Sequence, residues 1–230
     1  MEASGYVDIF ATKGIEYLFI LFFLLSLLFF WKHLHPPVKT LAPVSNKFAI
    51  FPSLRFHLEE GLFYHQGHSW AKPGDKAWIT VGIDDFTQQL LGRPSAVQFP
   101  KIGSRIRQGE KGWDFRFGPR EVAILSPVDG TVVSINKEVL EDPHLINRDP
   151  YGKGWLMKVE VPEMKKNLTN LLSGDLAKSW MQESAGNLQN RMTGDPGMTL
   201  QNKSVAADGI ARSISPEGWE NVAGEFLRTL

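Results

Sequence analysis

The chain of 230 residues contains no cysteine. Disulfides, thiol nucleophiles, iron–sulfur clusters and cysteine-based zinc sites are therefore excluded within it, so any redox chemistry has to come from a partner. Net charge is lacking too. Its 25 Lys and Arg balance 25 Asp and Glu, which gives no electrostatic reason to expect nucleic acid as a partner. No nucleophile elbow surrounds Ser126 or Ser134. His65 and His68 have the spacing of a metal pair but no evident third ligand, and a structural role is the simpler reading. Asp142 and His144 read as a hydrogen-bonded loop pair rather than a catalytic base. No catalytic, metal or cofactor site is assigned, and the chain is not read as an enzyme.

What the sequence does have is a long apolar run near its start. Residues 17–31 are apolar or aromatic throughout except Ser26, and Glu16 and Lys32 bracket them. With Gly14 and Ile15 the run approaches the ~17 residues a membrane span requires. A buried core helix is the alternative, yet a run apolar on all faces is unusual in a soluble helix. A cleaved signal peptide fits poorly, because Glu2 and Asp8 precede the run where positive charge is expected. Residues 1–35 are thus read as an N-terminal segment with a retained single-pass transmembrane anchor. Lys13 alone precedes it, whereas Lys32, Lys39 and Lys47 follow, which places the globular part on the cytoplasmic side. Tyr17 and Trp31 suit the two interfaces. His33 and His35 at the membrane edge invite a haem or quinone role, but a basic interfacial flank is the commoner explanation.

Residues 36–56 read as a tether. Pro36, Pro37, Pro43 and Pro52 deny a continuous helix and favour extended chain. Phe48, Ile50, Phe51, Leu54 and Phe56 are too apolar for a free linker and are expected to pack on the domain or on a partner.

Beyond the tether, short β-prone runs at 77–81, 121–125, 130–135 and 155–161 are bounded by Gly, Pro and Asp. In the last, Leu156, Lys158 and Glu160 alternate with Met157, Val159 and Val161. Asp84 is placed to cap a helix over 85–91 that Gly92 ends. A helix over 163–172, ended by Gly174-Asp175, and another over 176–192 follow. Near the C-terminus Ser215-Pro216-Glu217 signals a helix start, and Trp219, Val222, Ala223, Phe226, Leu227 and Leu230 form one apolar stripe. Folding back on the domain is the plainer reading of that stripe; docking to another subunit is the sharper one.

Several motifs occur in a familiar order. Tyr64, His65, His68, Ser69 and Trp70 open the series, and Val81-Gly82-Ile83-Asp84-Asp85-Phe86-Thr87-Gln88 is similar to a GITDFAQ block. Then come Leu91-Gly92, Phe99-Pro100-Lys101-Ile102-Gly103 with Gly109-Glu110, Ser126-Pro127-Val128-Asp129-Gly130-Thr131-Val132, and Asn147-Arg148-Asp149-Pro150-Tyr151-Gly152-Lys153-Gly154-Trp155-Leu156. Residues 63–160 resemble the H-protein of the glycine cleavage system, whose lipoyl-lysine arm carries an aminomethyl group between enzymes. The resemblance implies a mainly β (α+β) fold, a lipoyl-domain-like flattened β-barrel sandwich, here over 57–175 with a helical C-terminal extension over 176–230.

The residue that the family's function needs is missing. The spacing from Glu110 to Pro127 equals the family spacing and puts the ESVKA segment on Arg116, Phe117, Gly118, Pro119 and Arg120. The lipoyl-lysine position is therefore Pro119, which has no amine, and the acidic residue three before it is Arg116. Lys101, Arg105, Arg107, Lys111, Arg116 and Arg120 are candidates for a basic face toward an acidic partner or anionic lipid, with a solvated face as the default. Arg116, Arg120, Trp219 and Phe226 are the candidate partner surface.

The leading expectation is a non-catalytic, membrane-anchored accessory subunit or scaffold, without a cofactor, in a membrane-associated complex. That complex is redox only by analogy with lipoyl-domain relatives. One competing reading is a one-carbon or acyl carrier using an unconventional lipoylated lysine or a lipoylated partner. Another is assistance in lipoate transfer.

Overall fold

The computed structural model describes residues 9–34, 54–74, 77–193 and 209–229. The chain divides into two compact units, Met1–Pro52 and Ser53–Leu230. In the first, α1 runs Ile9–Leu34 as one continuous helix. Its leucines and phenylalanines from Leu18 to Phe30 are exposed on every face, Phe29 at 74%. Among the described residues no helix is long and apolar enough to cross a membrane.

The second unit is built on two antiparallel sheets. Strands β1 (Phe63–Tyr64), β2 (Ser69–Pro73), β3 (Trp78–Ile83), β5 (Arg105–Ile106), β8 (Gly130–Ile135) and β9 (Met157–Glu160) form a six-stranded sheet in the order β1-β2-β3-β9-β8-β5. Strands β4 (Ala96–Gln98), β6 (Lys111–Phe117) and β7 (Arg120–Leu125) form a three-stranded sheet in the order β4-β6-β7. Each expected β run lies on a strand. Alternation governs the facing: Ile79, Val81 and Ile83 of β3 and Met157 and Val159 of β9 point into the core, while Trp78 and Glu160 point out. Leu156 departs from the expected alternation, since it is fully buried just before β9 begins. Its amide donates to the Val81 carbonyl at 2.8 Å and its carbonyl accepts from Asn136 N at 2.9 Å, so it belongs to the core crossing and not to the outer face.

The short helix α2 (Asp85–Leu91) forms as its punctuation implies. Asp84 accepts the Thr87 amide at 2.9 Å, and Gly92 terminates it at φ 74° with its amide on the Gln88 carbonyl. Phe86, Leu90 and Leu91 bury its inner face. Helices α3 (Lys137–Glu141) and α4 (Leu145–Arg148), which the periodicity does not announce, flank the loop that leads to β9. Asp142 closes that loop by pairing with Arg148, which holds its carboxyl below the usual carboxylate range.

The C-terminal helices require two corrections. Helix α5 is only Met164–Thr169, because Leu172 leaves it to exchange backbone hydrogen bonds with Tyr64, at 2.8 Å each way. Gly174 then starts a helix instead of ending one: α6 runs Gly174–Thr193 and buries Ala177, Met181, Leu188 and Met192. Near the end of the chain, α7 (Ile210–Ile214) is unanticipated. The following helix α8 (Trp219–Leu227) starts later than the Ser-Pro-Glu signal, with Ser215 Oγ accepting the Gly218 amide at 3.2 Å.

The tail folds back on its own domain. Ile210, Ile214, Trp219, Val222, Ala223 and Leu227 join the core shared with α2 and the sheets. Burial of large apolar side chains at roughly 1.5–3 kcal/mol each is what seats it. Leu54 and Phe56 pack on the same core, whereas Phe48, Ile50, Phe51 and Leu230 lie outside the described residues.

Candidate functional site

Strands β6 and β7 make a hairpin in which Phe117 pairs with Arg120 across a two-residue tip, Gly118-Pro119. Gly118 takes φ 63°, the left-handed value that a glycine supplies without steric cost. Both tip residues are exposed. Pro119, picked out from the sequence as the position of an absent lysine, therefore stands at the outermost point of a tight hairpin.

The walls of the hairpin are tied down. Arg116 Nε donates to Glu121 Oε1 at 2.7 Å across the strands, and its Nη2 donates to Gln98 Oε1 at 3.0 Å on β4. Arg120 Nη1 donates to Glu220 Oε2 at 2.8 Å and to the Glu217 carbonyl at 2.9 Å. Trp219 meets Phe117 edge-on with centroids 5.1 Å apart. The Arg212 guanidinium lies 4.1 Å from the Trp219 ring centre and 4.7 Å from that of Phe117, and it donates to the Leu91 carbonyl at 2.9 Å.

Of the expected partner surface, Arg116 and Arg120 flank the tip. Trp219 does not reach the surface: it is 3% exposed, buried against the hairpin by the folding back of the tail. Phe226 is half-buried against Phe86, with centroids 5.7 Å apart. The basic cluster is largely offset as well. Arg107 pairs with Glu110, Lys111 with Asp114, Arg116 with Glu121 and Arg120 with Glu220.

His65 and His68, whose spacing allows a metal pair, take separate hydrogen-bonding partners. His65 Nδ1 accepts the Gly67 amide at 3.0 Å, and burial, reinforced by Arg228 and then His68, pushes its pKa down to about 4. His68 Nδ1 instead donates to Asp84 Oδ2 at 2.8 Å, and both side chains are buried. Among the described residues no three His, Asp or Glu side chains gather as a metal-binding group. The His68–Asp84 pair was not foreseen. The available signal was an aspartate at 84 where the similar GITDFAQ block has threonine, but its capping role accounted for it.

The profile of the glycine cleavage H-protein family matches residues 62–184, more than half of the chain and all of the hairpin. This chain belongs to that family. The H-protein of Thermoanaerobacter sp. (strain X514) is 35% identical over 125 residues, which cover 54% of this chain and 96% of that protein. The H-protein of Carboxydothermus hydrogenoformans is 36% identical over 122 residues, 53% of this chain and 92% of that one. A crystal structure of an H-protein from Mycobacterium marinum aligns with TM-score 0.47 and 26% identity over 55% of this chain and 98% of that one. The family match covers antiparallel sheets and flanking helices of this chain. The end of α6, together with α7 and α8, lies beyond the matched residues.

Proposed function

We propose that this H-protein family member is a membrane-anchored binding subunit that carries no lipoyl arm and serves as a fixed element of a membrane-associated complex. The observation that carries the reading is proline at the tip of the β6–β7 hairpin, the position to which the family spacing assigns the modified lysine. A proline cannot form the amide that holds lipoate. The nearest lysine on that strand, Lys111, stands at the opposite end of β6 and pairs with Asp114 at 2.8 Å.

Support for the anchor comes from the apolar sequence of 17–31 and from the 26-residue continuity of α1. The excess of lysines after the helix favours a cytoplasmic H-protein domain. The partners are other protein subunits, with a redox assembly as the class suggested by analogy with lipoyl-domain relatives.

Extraction of the protein from its native membranes in mild detergent, followed by intact-mass measurement of this chain and of whatever stays bound, tests the proposal. Membrane retention, unmodified mass and stoichiometric companion subunits are expected. A chain that carries lipoyl on any lysine would overturn the reading and restore a carrier. Release into the soluble fraction by salt alone would remove the anchor.

A further inference from the structure

The outer face of the six-stranded sheet is only partly covered. At one end Trp70 lies over Gly82, so close that a Cβ there would come within 2.4 Å of its ring, and Ala177 of α6 joins Trp70 in a small second core. Toward the other end the strands line up two rows of outward side chains. Lys72, Thr80, Lys158 and Ser134 stand side by side on β2, β3, β9 and β8. Trp78, Glu160, Thr131 and Arg105 make the next row, on β3, β9, β8 and β5. All eight are exposed or half-buried, whereas Ala71, Ile79, Met157 and Val159, which alternate with them, face the core.

Charge sets this face apart. Lys72, Lys158 and Arg105, with Lys101 in the turn that leads into β5, form no ion pair among the described residues, and Glu160 is the one carboxylate in the two rows. By contrast, Arg107, Lys111, Arg116 and Arg120 each have a carboxylate partner. Lys72 and Lys158 flank Thr80 at ~10 Å from each other, a like-charge placement that costs free energy until counter-charge arrives from outside. Large apolar groups accompany these cations. Trp78 is 47% exposed, and Ile102, beside Lys101, is 61% exposed. The Lys158 ammonium lies 5.3 Å from the ring centre of Trp155, which is half-buried. Indole rings and long cationic stems side by side on a flat surface suit a bilayer interface, where the ring sits among the headgroups and the ammonium reaches past it.

We propose that this face rests on an anionic bilayer surface, with Lys72, Lys158, Arg105 and Lys101 toward the headgroup anions and Trp78 and Ile102 dipping into the interface. The proposal rests on the membrane reading above and adds the surface by which the H-protein domain meets the lipid. The cations are spread from β2 to β5, about 19 Å across the sheet, which suits a field of mobile headgroups better than one fixed carboxylate pattern. The two sheets share one core, so the outer face of the larger one points away from β4, β6 and β7. A bilayer there leaves the Gly118-Pro119 tip clear for a protein partner.

Because the chain has no cysteine, a single nitroxide on Ser134→Cys reports this face alone. The full-length labelled chain is placed in nanodiscs of phosphatidylcholine, or of a three-to-one mixture with phosphatidylserine, and collision with an aqueous nickel chelate is read by EPR. Protection is expected in the anionic discs and not in the neutral ones, and it should vanish near 1 M salt, where screening shrinks to ~3 Å. Lys72→Gln with Lys158→Gln should lower the docked-to-free ratio on the order of twentyfold, about fivefold for each charge. Lys101→Gln with Arg105→Gln should act alike, whereas Lys178→Gln on α6 leaves the ratio unchanged. A label on Gln182→Cys of α6 should stay accessible throughout. The anchor is read separately, by retention of the chain in neutral discs at high salt; if that fails, flotation of the same chain with anionic vesicles still reads the face. Equal accessibility in the two kinds of disc, or protection that survives both double variants, would overturn the proposal. Protection produced by polyglutamate and not by anionic lipid would overturn it in favour of an acidic protein.

Discussion

Arg120, next to the hairpin tip, reaches Glu220 of α8 at 2.8 Å across a hundred residues of chain. The ion pair marks where the C-terminal tail grips the H-protein domain, but it is not the main source of the grip. Both side chains are over a third exposed, and such a pair contributes at most about 1 kcal/mol. Trp219 beside it is buried against Phe117 and Arg212 and carries the larger share.

Glu220→Gln is therefore expected to lower stability by less than about 1 kcal/mol, and Trp219→Ala by about 3–5 kcal/mol. Urea unfolding of the two variants side by side checks the ranking. Amide exchange at Phe117 and Arg120 should accelerate only in the tryptophan variant; equal effects in both would mean that charge holds the tail.

A methyl group at Gly67 would come within 2.9 Å of the Leu227 carbonyl oxygen. Gly67→Ala should push the end of α8 away from the β1–β2 turn and lower the melting temperature. By contrast, Gly186 lies inside α6 with open space around it, and Gly186→Ala should stabilise by about 0.5–1 kcal/mol. Opposite shifts in calorimetry are expected from the two substitutions.

His65 ties stability to pH. Its pKa falls from about 6.5 in the unfolded chain to about 4 in the fold, chiefly through burial. Between these values the unfolded state binds the extra proton, so stability is lost as pH falls from about 6.5 toward 4, by an upper bound on the order of 3 kcal/mol. His65→Gln should flatten this part of the stability–pH curve, and an unchanged slope would assign it to other groups.

Pro119→Lys tests the placement of the tip. Arg116 already pairs with Glu121 and Gln98, so an acidic replacement there would set two carboxylates side by side; Arg116→Gln is the gentler companion change. Lipoate ligase should acylate the folded double variant and leave the parent chain untouched. A folded variant that resists acylation would show that position 119 is not presented as the family presents its lysine.

Local chemistry was the legible part of this fold. Asp84 and Gly92 bracket α2 as their types require, and β8 occupies the run 130–135 read from its β-branched residues. Partnerships across long separations were not legible. The His68–Asp84 bond depends on the β2–β3 register, which sets Ser69 opposite Ile83, and no periodicity in either strand encodes it. The basic cluster looked open because Glu220, which offsets Arg120, lies in a helix whose place is decided by hydrophobic burial. Gly174 read as a stop because glycine usually follows a helix, yet the Tyr64–Leu172 bridge ends the preceding segment first and leaves the glycine free to begin the next.

The bracing of the β6–β7 hairpin bears on how it can be recognised. A swinging arm works by visiting successive sites, and its usefulness grows with its freedom. Here Pro119 has a ring-locked φ, Gly118 turns the chain, and the strands beneath are bolted to β4 on one side and to the tail on the other. Such a tip is a rigid knob. It spends little conformational entropy when a socket closes over it, so it is suited to one long-lived contact and not to courier duty.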